Sequence, residues 1–303
     1  MSEERTLRVG RRTVTLSRPE KVLFPAAGVT KAELADYYVA VAEAMLPHLR
    51  GRPLALERCP DGIAGERIFQ KNVPGYYPAW IHRATVEKEG GTLQQVVCDD
   101  AATLVYLADQ ACVTAHTWLS RIDEPRTPDL LVFDLDPPGN DFEAARSAAL
   151  AVHVLLDELE LPAYAKTTGK RGIHVEVPLR RDADFDEVRA FAREVARELV
   201  ARHPDRLTTE QHRDRRDGRL YLDLMRNGYA QTAVAPYAVR ALPHASVATP
   251  LEWDEVADPS LRPDAFTVRT VPQRLADGRQ PWRGMRRRAH GLARARERLD
   301  TLA

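Results

Sequence analysis

Cysteine is scarce in this chain, and long apolar runs and a surplus of charge of either sign are missing altogether. Only Cys59, Cys98 and Cys112 occur, an odd number without metal-site spacing, so reduced structural thiols are expected rather than disulfides or a zinc module. No stretch approaches the ~20 apolar residues that cross a bilayer. The polar start Met1-Ser2-Glu3-Glu4-Arg5 also lacks a signal-peptide core. The expectation is a cytoplasmic protein without membrane contact. Lysine and arginine total 44, as do aspartate and glutamate, so no global field draws the protein to nucleic acid. No Ser/Gly-rich linker, low-complexity run or internal repeat is present, which excludes a solenoid and argues against independently moving modules.

What is present is unevenly placed. Arg5, Arg8, Arg11, Arg12, Arg18, Lys21 and Lys31 crowd the N-terminal stretch. Arg283, Arg286, Arg287, Arg288, Arg294, Arg296 and Arg298 crowd the C-terminal one, which reads as a single basic helix. Either patch suits phosphate contact, and a solvated helix face accounts for the second equally well.

Thr6 to Leu16 alternates around Gly10 as a hairpin. Thr30 with Glu33 forms a capping box for a helix to about Leu49, striped by Leu34, Tyr38, Val41 and Met45. A strand at 53–58, a hairpin from Ala84 to Val97 across Gly90-Gly91, a helix at 101–110 and a strand at 112–118 complete the first half. In the second, strands at 130–136, 163–167, 173–177, 220–225 and 231–239 alternate with helices at 142–159 and 184–203 and a short one near 250–256. Strands 163–167 and 173–177 are joined too tightly for a parallel crossover. The pattern predicts an α+β fold, with mixed or antiparallel sheets and flanking helices. One domain over 1–303 is expected, made of two interlocked subdomains at about 1–120 and 121–303.

The chemistry gathers in the second half. Asp129-Leu130-Leu131-Val132-Phe133-Asp134-Leu135-Asp136-Pro137-Pro138 is an apolar strand whose period of two sets Asp134 and Asp136 on one face. Two carboxylates so close repel and lose hydration, and a divalent metal is the usual remedy; capping of the following turn is the other reading. The loop Lys166-Thr167-Thr168-Gly169-Lys170-Arg171-Gly172-Ile173-His174 brings two glycines, cations and a hydroxyl between strands. That composition suits a polyphosphate, or simply a hairpin turn, and it is not a Walker A loop. Asp223 lies in an otherwise apolar strand and needs a partner, for which Arg226 is one choice. His116, between Ala115 and Thr117, is either a core histidine or a site residue, and Arg240 follows the run Gln231 to Val239. Three strand-borne aspartates, two histidines, a cationic loop and a late arginine form the parts of two-metal phosphoryl or nucleotidyl transfer.

These ordered segments resemble the motif series of the polymerase domain of bacterial ligase D, in the archaeo-eukaryotic primase superfamily. The likeness extends through Arg18-Pro19-Glu20-Lys21-Val22-Leu23-Phe24-Pro25, Thr30-Lys31, Phe69-Gln70-Lys71-Asn72-Val73-Pro74 and Pro250-Leu251-Glu252-Trp253, nearly the whole chain. The resemblance implies a primase-like fold and a template-dependent polymerase that adds NTPs or dNTPs, preferring ribonucleotides, to primers at gaps and double-strand breaks. It implies that Asp134, Asp136 and Asp223 hold two Mn²⁺ or Mg²⁺ ions, and that Thr168, Lys170, Arg171, His174 and Arg240 grip the triphosphate. Arg226 and His116 would line the nucleotide pocket, Phe69 would stack on a base, and Lys21 and Lys31 would bind the 5′-phosphate at the downstream edge of a gap. Solvated lysines are the alternative for that last pair. The implied partners are gapped or broken DNA with template and primer, the end-binding protein Ku and a DNA ligase, with the protein joining the bacterial nucleoid during repair.

Two departures from the pattern stand out. Thr168 occupies the place of the family's serine, and Glu57-Arg58 a place usually held by consecutive basic residues. A haloacid-dehalogenase-type phosphatase is disfavoured, because Pro137-Pro138 follows the second aspartate. A primase that starts chains unaided and a non-catalytic end-bridging module are the remaining rivals, and the intact aspartate set counts against the latter.

Overall fold

The computed structural model describes residues 4–302, so the polar start at Met1 to Glu3 lies outside the described residues. The chain forms two compact units, but not by a single division near residue 120. The first gathers the chain up to Trp118 with Thr232–Thr249 and Phe266–Gln280; the second gathers Leu119–Gln231, Pro250–Ala265 and the chain from Pro281 on. The C-terminal half therefore supplies parts of both.

In the first unit, strands Glu4–Val9 and Arg12–Ser17 pair antiparallel from Glu4↔Ser17 to Val9↔Arg12, turning at Gly10, whose φ of 60° is the left-handed region glycine favours. Helix Lys31–Leu49 begins at the capping box read from the sequence. Thr30 Oγ1 accepts from the Glu33 amide at 3.2 Å, and Glu33 accepts from the Thr30 amide at 2.8 Å. Its stripe Leu34, Tyr38, Val41 and Met45 is fully buried in a core with Leu23, Phe24, Leu54 and Val113. The main sheet is antiparallel and runs Thr232–Val234, Cys112–Trp118, Pro53–Arg58, Gly91–Val97, Arg83–Lys88, with Ile68–Gln70 paired to Pro53–Arg58. The strand expected over 231–239 stops at Val234, because Pro236 has no amide to donate and Tyr237 adopts φ 65°.

The second unit's sheet decides where the chemistry lies. Its order is Leu207–Thr208, Leu220–Asp223, Leu130–Asp136, Ile173–Pro178, Tyr164–Thr167, Pro250–Leu251, and only the first pairing is parallel. Alternation splits the central strands into two chemistries. Leu131, Phe133, Leu135, Ile173, Val175 and Val177 point one way, all fully buried, and helices Phe142–Glu158 and Phe185–Arg202 pack on these strands through stripes such as Val152, Leu156, Phe191 and Val195. Asp134, His174, Glu176, Lys166 and Asp223 point the other way. Each large apolar side chain withdrawn from water contributes roughly 1.5–3 kcal/mol. A one-residue slip would turn the whole apolar set outward, so the core fixes the register that aims the carboxylates.

The strand expected to reach residue 225 ends at Asp223 and gives way to a 3₁₀ turn, Met225–Asn227. The expected single basic helix is instead a 3₁₀ turn at Met285–Arg288 and a separate helix, Ala293–Leu302, with Gly284 at φ 77° preceding the turn. Among the described residues no helix is long and apolar enough to cross a membrane.

Candidate active site

Antiparallel pairing sets Asp134 opposite Asp223 and Asp136 opposite Tyr221, so the three aspartates of two neighbouring strands share one face of the second unit's sheet. None is left without an electrostatic answer. Asp134, nearly fully buried, lies 3.3 Å from Nε2 of His174 and accepts from Nε of Arg226 at 3.1 Å. Burial pushes its carboxyl up, but the charges and hydrogen bonds of His174 and Arg226 outweigh that and hold it well below the usual carboxylate range. Asp136 has a side chain 52% exposed, and its cation, Arg171, is 3.7 Å away. Partial loss of water, reinforced by the negative charge of Asp134, raises its pKa. Asp223 accepts from the Met225 amide at 2.8 Å, which starts the turn that carries Arg226 back to Asp134. Arg226, one choice of partner for Asp223 at the sequence level, thus engages Asp134.

Behind these groups lies a row of buried charges. Nδ1 of His174 is 4.0 Å from Glu176 Oε1, and that same oxygen accepts a short hydrogen bond from Lys166. Lys166 is fully buried beneath the Trp282 ring, 5.3 Å from its centroid, and the Trp282 indole N–H donates to the Ala165 carbonyl at 3.0 Å. Arg226, Asp134, His174, Glu176 and Lys166 follow one another across the sheet, acidic side chains alternating with basic ones. Asn227 locks the turn. Its carboxamide accepts from the Val132 amide at 2.8 Å and donates to the Val132 carbonyl at 2.7 Å, as a neighbouring strand would.

The glycine loop closes tightly over the end of the Asp134 strand. Thr168 N–H donates to the Gly172 carbonyl at 2.9 Å, and the Gly172 amide donates to Thr168 Oγ1 at 3.1 Å. A Cβ on Gly172 would meet the Leu135 carbonyl at 2.4 Å, so no larger residue fits without moving backbone. Lys170 and Arg171 face an open cavity of about 530 Å³ that Asn140, Phe142, Arg146 and Arg262 also line.

The three aspartates with Thr168, Lys170, Arg171, His174 and Arg226 all belong to the second unit. His116, Phe69, Arg240, Lys21 and Lys31 belong to the first. Within it, Phe69, 53% exposed, meets His116 edge-on at 5.6 Å between ring centroids, and the Arg240 amide donates to the Ser246 carbonyl at 2.7 Å. The Lys31 amide donates to the Lys21 carbonyl, which brings the two lysines together with Arg18. Lys31 is buried, donating to the Ser17 carbonyl at 2.7 Å and to Asp109 at 3.2 Å; Lys21 donates to the exposed Asp61 at 2.8 Å. Burial lowers the Lys31 pKa against the opposing pull of Asp109.

Sequence reasoning gave Lys166, Glu176 and Asn227 no separate role, and named Arg18 only within the N-terminal basic patch. The alternation that singled out Asp134 carried the signal for two of them, since Lys166 and Glu176 are charged residues at inward positions of apolar strands.

The LigD primase-polymerase domain family matches residues 30–282. The multifunctional non-homologous end joining protein LigD of Mycolicibacterium smegmatis is 36% identical over 252 residues, covering 82% of this chain and 33% of that protein. The bifunctional non-homologous end joining protein LigD of Bacillus subtilis is 34% identical over 258 residues, covering 84% and 41%. The chain thus spans about a third of the length of the first of these relatives and two-fifths of the second. The polymerase domain of Mycobacterium tuberculosis ligase D, solved in complex with DNA, matches with a TM-score of 0.86 at 33% identity, covering 91% of this chain and 99% of that one. The chain belongs to the LigD primase-polymerase domain family, nucleotidyltransferases with an archaeo-eukaryotic primase-like fold.

Proposed function

We propose that this protein extends primers on a template at gaps and double-strand breaks, in end joining or gap-filling repair. NTPs or dNTPs would be its substrates, with ribonucleotides preferred. The observation that carries this reading is the register Asp134↔Asp223, with Asp136 on the same face and the cationic loop beside it. Carboxylate oxygens are the donors that hard divalent cations prefer, so Asp134, Asp136 and Asp223 suit two Mn²⁺ or Mg²⁺ ions. Among the described residues no three His, Cys, Asp or Glu side chains converge enough to hold an ion as they stand, and His174, Arg226, Arg171 and the Met225 amide engage these carboxylates. Bound ions would supply Lewis acidity at the α-phosphate and lower the pKa of the primer 3′-hydroxyl.

The remaining roles fall to side chains. His174 and Arg226 keep Asp134 ionised and fixed in direction. Thr168, Lys170, Arg171 and His174 bind the triphosphate, whose charge frees Arg171 from Asp136. Arg226 lines the nucleotide pocket. Roles for Arg240 at the triphosphate, His116 at the nucleotide and Phe69 at a base rest on family resemblance, with Phe69 suited to stacking by its exposure. Lys21 and Lys31 bind a 5′-phosphate. Ku and a DNA ligase are the expected partners, and the cytoplasm with its nucleoid the expected location.

The test is extension of a gapped, 5′-phosphorylated duplex with Mn²⁺ or Mg²⁺ and NTPs or dNTPs. Asp134→Ala should lose about a hundred- to a thousand-fold in rate, the scale of removing an electrostatic group from a transition state. No extension by the wild type with any nucleotide or metal overturns the reading, and extension on unprimed template makes the protein a primase.

A further inference from the structure

The second unit carries another cationic surface that the proposed chemistry does not use. Helix Phe185–Arg202 presents Arg189, Arg193 and Arg197 at intervals of four residues, so at ~1.5 Å per residue their stems stand about 6 Å apart in one stripe. They line an open groove of about 320 Å³ whose other walls include Gln211, Tyr221 and Met225, and none of the described residues lining it is acidic. On the same helix Arg202 is answered by Glu198 at 2.7 Å and Glu158 at 2.8 Å. Arg193 and Arg197 are exposed and form no ion pair among the described residues. Arg189 donates to the Met225 sulfur at 3.1 Å, while its buried Nε has no hydrogen-bond partner. The floor is apolar and aromatic, with Met225 47% exposed and Tyr221 lying 4.2 Å beneath the Arg216 guanidinium. Like charges four residues apart on a helix repel one another. No acidic group lines the groove, so an anion entering it meets cations alone.

We propose that this groove binds the phosphodiester backbone of single-stranded nucleic acid, the stretch continuous with the strand end that reacts at Asp134, Asp136 and Asp223. The inference rests on the nucleotidyl-transfer reading. A stripe of evenly spaced guanidinium groups suits a linear polyanion, with each arginine meeting a successive phosphate, and not a compact ion held by converging donors. Tyr221 stands two residues before Asp223 on the same strand and face, opposite Asp136, so the groove begins within about 7 Å of backbone from the carboxylates. Tyrosine and methionine tolerate any base against them, so recognition is independent of sequence.

The test is fluorescence anisotropy of a short oligothymidylate over a salt series, comparing wild type with the double variant Arg193→Ser/Arg197→Ser. Affinity should fall at least ten-fold at low salt. The slope of log affinity against log salt should drop by about 1.4, since each phosphate neutralised on a single strand accounts for about 0.7. The variant Arg193→Lys/Arg197→Lys should restore most of both, which separates lost charge from lost folding. Unchanged affinity and slope overturn the proposal. So does equal weakening with a polyglutamate probe, which would mark the stripe as a contact for acidic proteins. Primer extension at a gapped duplex is measured alongside. A wild type that binds oligothymidylate through these arginines but extends nothing keeps the groove and loses the polymerase reading; one that extends while the variant binds normally loses the groove alone.

Discussion

On the second unit's sheet the proposed functional groups are carboxylates, and the protein's own basic side chains answer them. In the lysine cluster of the first unit the functional groups are cations, and carboxylates answer them. Each region sets a buried, fixed pair beside an exposed, loose one. Asp134 with His174 and Lys31 with Asp109 are buried, whereas Asp136 with Arg171 and Lys21 with Asp61 have partners 40% and 79% exposed. Burial decides which is which. A buried ion deprived of its partner faces several kcal/mol of desolvation, while an exposed pair is worth under about 1 kcal/mol and opens easily. On the proposed roles, an incoming ligand of matching charge would displace Arg171 or Asp61, while His174 and Asp109 keep Asp134 and Lys31 in place.

The strongest way to break this comparison is to remove the support of a fixed pair. Glu176→Gln removes the carboxylate that the buried Lys166 ammonium bonds, and with it the anion on the far side of His174. Breaking a buried pair typically costs about 3–5 kcal/mol, a large part of a domain's stability. Urea unfolding should show that loss, and Lys166→Met/Glu176→Gln, which removes both charges, should recover most of it. A single variant as stable as wild type would mean that the row of charges is not what orders the site.

A smaller effect, of opposite sign at two neighbouring carboxylates, sharpens the contrast within the anionic region. The folded pKa of Asp134 is depressed, so its contribution to stability is present above the unfolded value of about 3.9 and is lost as pH falls through the folded one. The folded pKa of Asp136 is raised, so its contribution is present below the unfolded value and is lost as pH rises through the folded one. At pH 7 Asp134→Asn should destabilise by about 2 kcal/mol, less than a fully buried pair because Arg226 is partly exposed. Asp136→Asn should stabilise by less than about 1 kcal/mol. Denaturant titrations at pH 7 and at pH 3 test both, and the two differences from wild type should converge in acid. Shifts of the same sign at pH 7 would show that the two aspartates do not differ in kind.

Much of this was legible in the chain. Period-two alternation from Leu130 to Asp136 gave the strand, the facing of Asp134 and Asp136 and the buried apolar layer, because burial of Leu131, Phe133 and Leu135 dominates the local energetics. The Thr30 capping box is local and reads directly. Pairing between strands distant in sequence was not legible. Asp223 opposite Asp134 and Asn227 on Val132 depend on contacts about 90 residues apart, which no window of sequence contains. The strand expected over 231–239 failed for a related reason, since apolar composition suited a strand but Pro236 and the left-handed Tyr237 imposed a turn. Even the lysines were half read, with their closeness expected from family likeness and their carboxylates unseen.

The smallest effect tests whether the loose pair of the cationic region works as its anionic counterpart does. If Asp61 merely holds the place of a phosphate, removing it should help binding where removing Lys21 harms it. Asp61→Asn should tighten binding of a gapped duplex by a few-fold, and Lys21→Ala should weaken it by a similar factor, the scale of an exposed ion pair. Both effects should appear with a 5′-phosphate and vanish with a 5′-hydroxyl. Both should also shrink as salt rises, because exposed charges are screened. Asp109→Asn is the contrasting control. Its partner Lys31 is buried and anchored to the Ser17 carbonyl, so the variant should lower thermal stability without tightening the phosphate-dependent binding. A tightening by Asp109→Asn equal to that of Asp61→Asn would erase the distinction between fixed and loose partners, and with it the inference that exposure marks where the ligand enters.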